Sequence, residues 1–280
     1  LSVEAGDLAI EQGATVDVSG QGGADAGRLT MRVPAGTFKL HGQLVGTAEA
    51  TADVPSPWLG SFGLDAMALD DGDEATANDF SALSLHMTGF GEGFVLRQRM
   101  GDLTVAAGDT VKAGRVVLST DDGVLDIAGT IDARASEGGW VMAAAGKELY
   151  LRDGTGIDTR ATGTDQRGGE VWLVSGMNRD HVDADASNGA LVLENGSTIE
   201  VGGTLAPEVR FAGNAAGDPD IVLSQTSGGR VHLQAPRIGS GAGTDVRITH
   251  KAIADASVFA ADDDIGTDIY WINDDRDVQE

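Results

Sequence analysis

The chain has 280 residues, 41 of them glycine, no cysteine, and 44 acids against 19 bases for a formal net charge of −25. A field of that sign repels nucleic acid and anionic membrane, and without Cys there are no disulfides, thiolate metal sites or cysteine nucleophiles. No apolar run reaches the roughly eighteen residues of a membrane span, so membrane insertion is not expected.

In chain order, two phrases alternate. The first is a short apolar strand, then Gly, a small residue, an apolar residue and an acid, and it opens at Leu8-Ala9-Ile10 followed by Gly13-Ala14-Thr15-Val16-Asp17. The second, Gly27-Arg28-Leu29-Thr30-Met31, has apolar residues two and four positions after its Gly. The first returns at Leu103-Thr104-Val105 with Gly108-Asp109-Thr110-Val111, where Lys112 stands in place of the acid. The second follows at Gly114-Arg115-Val116-Val117-Leu118. Leu125-Asp126-Ile127 with Gly129-Thr130-Ile131-Asp132 then leads to Gly139-Trp140-Val141-Met142-Ala143. Leu149-Tyr150-Leu151 with Gly154-Thr155-Gly156-Ile157-Asp158 leads to Gly169-Glu170-Val171-Trp172-Leu173. The last copies are Leu191-Val192-Leu193 with Gly196-Ser197-Thr198-Ile199-Glu200, and Gly229-Arg230-Val231-His232-Leu233.

Period-two alternation predicts short strands with one buried face. Strands this short cannot sustain a sheet alone, but stacked coil upon coil each gains parallel hydrogen bonds. Hairpin signals are scarce, with Asn-Gly pairs only at Asn188-Gly189 and Asn195-Gly196. The expected fold is all-β, a parallel β-helix (β-solenoid) with coils of about 20–25 residues. Glycines are expected at corners that need positive φ. The first-phrase glycines fall at 108, 129, 154 and 196, and the last interval is about twice the first, so a further coil with a degenerate phrase is expected inside it.

Residues 1–280 read as a single β-helix segment with two irregular stretches. Residues 54–93 carry Pro55, Pro57, Trp58 and the run Asp70-Asp71-Gly72-Asp73-Glu74. They are expected to form a loop-rich insertion in which Asn78 caps a short helix with Phe80 and Leu83 on one side. Residues 251–280, with Asp262-Asp263-Asp264, form an acidic, less regular C-terminal stretch. The sequence begins at Leu1 within a strand pattern and shows no signal peptide, so it is expected to be a piece of a longer chain.

The phrases Gly101-Asp102-Leu103-Thr104-Val105-Ala106-Ala107-Gly108, Gly129-Thr130-Ile131-Asp132-Ala133-Arg134-Ala135-Ser136 and Gly229-Arg230-Val231-His232-Leu233-Gln234-Ala235-Pro236-Arg237 resemble filamentous haemagglutinin-like large exoproteins. The resemblance covers roughly residues 1–33 and 94–250. It implies a right-handed β-helical interior segment of a secreted or cell-surface adhesin of a Gram-negative bacterium, exported by two-partner secretion through an outer-membrane barrel. The family carries no catalytic residues over to this chain.

Asp17, Asp132, Asp158 and Glu200 share a repeat position and are expected to stack along one edge, their carboxylates bonding nearby amides as in Asx turns. No EF-hand loop or tandem nonapeptide calcium repeat is present, so the calcium expectation is limited to weak structural binding at 70–74 or 262–264. His41, His86, His181, His232 and His250 have no metal-ligand spacing. With Val171 and Leu173 inward, Trp172 faces out, at the position of Val117, Met142 and His232 in other coils. It is a candidate exposed contact for a sugar or partner protein, the alternative being a small satellite core.

The expected function is that of a non-enzymatic structural and adhesive shaft segment. Its partners would be cell-surface receptors or glycans of host or neighbouring cells, with adhesion to surfaces or biofilm matrix and self-association. The alternatives are a carbohydrate-active β-helix (polysaccharide lyase or hydrolase) and a self-assembling extracellular filament protein.

Overall fold

A computed structural model of the chain describes residues 1–4, 6–70, 80–177, 189–204, 208–211, 221–224, 228–235, 237–238, 245–246, 248–250, 253–255, 268–272 and 278–279. The N-terminal third contains β1 (Leu8–Ile10), β2 (Thr15–Asp17), β3 (Arg28–Leu40), β4 (Gln43–Val45), β5 (Ser61–Asp70), α1 (Phe80–Ser84) and β6 (Met87–Thr88). Regular coils follow: β7 (Gly93–Gln98), β8 (Leu103–Val105), β9 (Thr110–Lys112), β10 (Arg115–Thr120), β11 (Leu125–Ile127), β12 (Thr130–Asp132) and β13 (Trp140–Ala145). Next come β14 (Leu149–Leu151), β15 (Gly156–Asp158), β16 (Glu170–Val174), β17 (Leu191–Leu193) and β18 (Thr198–Glu200). The remaining strands are β19 (Glu208–Phe211), β20 (Ile221–Ser224), β21 (Arg230–Gln234), β22 (Arg237–Ile238), β23 (Asp245–Val246), β24 (Ile248–His250), β25 (Ile253–Asp255), β26 (Asp268–Ile272) and β27 (Val278–Gln279).

The described chain is thus almost wholly β, and its main sheets are parallel, each strand pairing with its counterpart one coil later in the manner of a β-solenoid. The longest sheet runs β1-β3-β5-β7-β10-β13-β16-β21-β26, with β27 added antiparallel at the end. A second face stacks β8-β11-β14-β17-β24 and a third stacks β9-β12-β15-β18-β25. Strands β2, β4 and β6 form a separate three-stranded ladder. Antiparallel pairs are confined to β19–β20, β22–β23 and β26–β27 among the described residues.

Alternation sets what each column buries. On the long face Met31, Leu64, Leu96, Leu118, Ala143, Leu173 and Leu233 align strand by strand, all buried. Leu103, Leu125, Leu149 and Leu191 form the matching column of the second face, and Val111, Ile131, Ile157 and Ile199 that of the third. The side chains of these two columns are 0–1% exposed, so each contributes about 1.5–3 kcal/mol of apolar burial.

Coil length departs from the expected 20–25 residues outside the regular coils. In the regular coils Gly93 pairs with Arg115 and Arg115 with Trp140, steps of the expected size. The N-terminal steps are longer, taking Leu8 to Phe38, Arg28 to Ser61 and Ser61 to Gly93. The longest step in the long sheet takes Glu170 to Arg230. The extra coil expected between Gly154 and Gly196 is absent, because Leu149 pairs directly with Leu191 and Gly156 with Thr198, which makes that interval a single coil. Extra residues fall between strands, where lengthening a connection costs little closure entropy and leaves the ladder in register.

Residues 54–93, expected to leave the coil, do so only in part. β5 spans Ser61–Asp70 within the long sheet and β6 pairs with β4. The short helix is present as α1, with Phe80 and Leu83 both buried, while Asn78 and most of the acidic run, Asp71–Glu74, lie outside the described residues. In the C-terminal stretch 251–280, β25 and β26 stay in register with β18 and β21. Asp262–Asp264 lie outside the described residues.

The glycines divide into two kinds, where one was expected. Gly13, Gly108, Gly154 and Gly196 have φ of +84°, +93°, +75° and +83°, the left-handed turn that Cβ disfavours. The second-phrase Gly139 has no positive φ. Instead a Cβ there would overlap the carbonyl oxygen of Ala133, so close approach of backbone to backbone is what excludes a side chain.

Candidate functional site

The expected acid column exists on the third face. Lys112, Asp132, Asp158, Glu200 and Asp255 occupy one register position through β9, β12, β15, β18 and β25. Asp17 shares the repeat phrase but lies on the separate β2-β4-β6 ladder, opposite Val45. The Asx geometry is present: the amides of Ser19 and Arg160 donate to Asp17 Oδ1 at 2.8 Å and Asp158 Oδ1 at 3.0 Å. The column is also an ionic ladder. Arg134 donates to Asp132 at 2.8 and 2.9 Å and lies 3.4 Å from Asp158, and Arg160 joins Asp158 at 2.7 Å to Glu200 at 2.9 Å. Arg134 holds the Asp132 carboxyl below the usual carboxylate range. Asp132, Asp158 and Glu200 each face a cation belonging to their own or a neighbouring coil, an arrangement that ties coils together.

The same logic recurs on the other faces. On the second face Arg152 donates to Asp126 at 2.6 and 2.8 Å and to Glu194 at 2.8 Å, with its guanidinium 4.1 Å from the Tyr150 ring centroid. On the long face Arg99 grips Asp65 at 2.7 and 2.8 Å, and Arg97 grips Asp121 at 2.6 Å. The arginine partners are not among the residues that the repeat phrases single out, although the Asp-x-Arg spacing at 132–134 and 158–160 is a signal that could have found two of them.

Trp172 stands at the register position of Val117, Met142 and His232. It is half-buried, and its ring stacks on the His232 imidazole with centroids 3.8 Å apart and planes 11° apart. Glu170 Oε1 accepts from Trp172 Nε1 at 2.6 Å and lies 3.1 Å from His232 Nε2. Burial pushes the His232 imidazole below its ordinary pKa, opposed by the Glu170 carboxylate. The tryptophan therefore belongs to a small cluster of its own, with one face occupied by His232.

A concavity lies elsewhere, where the third face is interrupted. β6 pairs with β4 and β9 with β12, but no ladder joins β6 to β9 among the described residues. The interruption opens a cleft of about 340 Å³ between Met87, Phe90 and Phe94 on one side and Thr110, Lys112 and Arg134 on the other. Phe94 packs against Phe62 and Phe80 with centroids 5.4 Å away in each case, and Phe62 meets Phe90 at 5.7 Å. Aromatic rings fill the volume here that aliphatic columns fill in the regular coils. The sequence signals for the cleft's charged wall are Lys112, standing where the phrase has an acid, and the Asp132-x-Arg134 spacing.

No group of three or more His, Cys, Asp or Glu able to hold a metal occurs among the described residues, and none of their helices is long and apolar enough to cross a membrane. No protein-family model matches the chain, and neither a curated protein nor a solved structure matches it.

Proposed function

We propose that this chain is a rigid, right-handed β-helical shaft segment of a large secreted or cell-surface bacterial exoprotein, working in adhesion. The observation that carries this reading is the long sheet, whose parallel register passes from β1 to β26 and so spans the chain from Leu8 to Ile272. A sheet that continuous converts chain length into reach, at about 4.8 Å per coil. Inter-coil bridges such as Arg152 to Asp126 and Glu194 resist shear between coils. The acidic, paired surface suits a rod exposed to solvent, and the adhesin and two-partner-secretion assignment rests on the repeat phrases. On this reading the mechanism is geometric, projecting contacts such as the Trp172 face toward receptors or glycans.

The test is to couple the purified chain to beads and measure retention on bacterial biofilm matrix and on epithelial cells, alongside small-angle scattering. Retention above that of beads carrying an unrelated acidic protein, with an elongated particle in scattering, is the expected result. Turnover of an acidic polysaccharide with no retention on either surface would refute the reading in favour of a carbohydrate-active β-helix.

A further inference from the structure

We propose that the cleft between β6 and β9 is a binding site for a small amphipathic monoanion, an aromatic carboxylate of one ring and a short acid arm. Such a site is independent of the shaft reading, since it needs only the cleft.

The cleft arises from a break in an otherwise regular stack. β2, β4 and β6, like β9, β12 and β15, each precede a strand of the long sheet, so both ladders occupy the same station of the coil. Within each ladder successive strands pair, and the step from β6 to β9 is where pairing stops. At the corner the two coils still touch, with Gly114 N donating to Gly91 O at 2.9 Å. The opening is therefore a wedge, closed at one end by backbone.

Its floor is apolar, from Phe80, Phe90, Phe94 and Met87, with Leu59 at 42% exposure on the rim. Water in such a space finds few hydrogen-bond partners, so an apolar body displaces it favourably. A volume of about 340 Å³ lies at the small end of ligand pockets, which suits a single ring better than a lipid chain. A sugar would leave hydroxyls without partners against the phenylalanine rings.

One wall supplies the charge. Among the described lining residues Arg134 and Lys112 are the cations and Asp132 the carboxylate. Arg134 is engaged by Asp132 at 2.8 and 2.9 Å and also lies 3.4 Å from Asp158, which leaves Lys112 as the cation open to a ligand. Lys112 lies 3.8 Å from Asp132 with its side chain 75% exposed, beyond hydrogen-bond distance. It is also the residue that replaces the acid of the repeat phrase, in the coil that borders the break. One exposed ammonium beside an apolar floor, on a chain of net charge −25, selects a single anionic group, since a polyanion or an acidic macromolecule is repelled by the whole surface.

The experiment is titration of the whole chain with 3-phenylpropionate, 3-phenylpropanol and 3-phenylpropylamine, followed by NMR shift perturbation. The acid should saturate with a Kd on the order of a millimolar, fitting about eleven non-hydrogen atoms. The alcohol should bind about threefold to fivefold more weakly, the worth of one partly exposed ion pair, and the amine more weakly still. Lys112→Gln should lower the affinity for the acid to that for the alcohol while leaving the alcohol unchanged and the melting curve intact. Leu59→Asp, on the exposed rim, should weaken the acid most. The proposal is overturned by absence of saturable binding of the acid, by equal binding of acid and amine, or by a Lys112→Gln variant that binds the acid as the parent does.

Discussion

Replacing Gly139 by Ala separates the two roles that glycine plays in this fold. A Cβ at Gly139 would overlap the Ala133 carbonyl oxygen, and it would also meet the Ala133 Cβ at 3.2 Å. Neither obstacle is the flexible end of a side chain, so the backbone of one corner must move. That corner is held by the bond from Gly139 N to Thr159 O at 2.8 Å and from Trp140 N to Gly114 O at 3.0 Å, both of which cross to other coils. Overpacking costs about 1–3 kcal/mol, and loss of one such hydrogen bond adds about 1 kcal/mol, so Gly139→Ala should cost about 3 kcal/mol. Gly108 offers the control: its Cβ would meet nothing within 4 Å, and the only penalty is φ of +93°, about 1–2 kcal/mol. Urea unfolding of both variants gives the comparison, and amide hydrogen exchange at Trp140 and Glu170 reports whether the loss is local to the corner, as expected in a one-dimensional stack. If Gly139→Ala proves no more costly than Gly108→Ala, the close-approach argument fails.

The ionic ladders give further expectations. Arg152→Met should lower stability by about 1–2 kcal/mol in low salt and by less in high salt, because Arg152 joins Asp126 to Glu194 across three coils while remaining partly exposed. Arg152→Lys should restore only part of this, lacking the planar fork, as read by urea midpoint. Asp132 has its folded pKa lowered from 3.8 by Arg134, so its stabilising contribution is complete above the unfolded value and is lost as pH falls below 3.8 through the folded one; Arg134→Gln should flatten that part of the acid-unfolding curve. His232 has its folded pKa lowered from 6.5 by burial, so stability is full above pH 6.5 and declines as pH falls through the folded value. His232→Phe, which keeps a ring against Trp172, should remove that decline, and a melting temperature in the variant that still falls between about pH 7 and 5 as in the parent would contradict it.

The repeat made most of the fold legible. Every second-phrase copy from Gly27 to Gly229 lies at the start of a strand in the long sheet, and the residues two and four after each Gly are those that face the core. Alternation reports burial directly because a strand has only two faces. Coil length was less legible: the interval from Gly154 to Gly196 reads equally as two coils or as one with a long connection, and only strand pairing distinguishes them. The residues of the cleft were partly visible as a rhythm break at 54–93 and a substituted acid at Lys112. Nothing local to either stretch says that Met87 and Phe90 face Lys112 and Arg134 across a gap.

What the sequence determined by itself was therefore periodic: short strands, one apolar face each, parallel stacking, and an acid at a fixed station of the coil. Those properties follow from period-two alternation and from the inability of very short strands to stand alone. Tertiary structure alone decided which coils are neighbours, since the pairing of Leu149 with Leu191 depends on hydrogen bonds between strands far apart in the chain. It also decided where the third face breaks, because Lys112 marks β9 as a departure from the phrase without saying which neighbouring strand it fails to pair with.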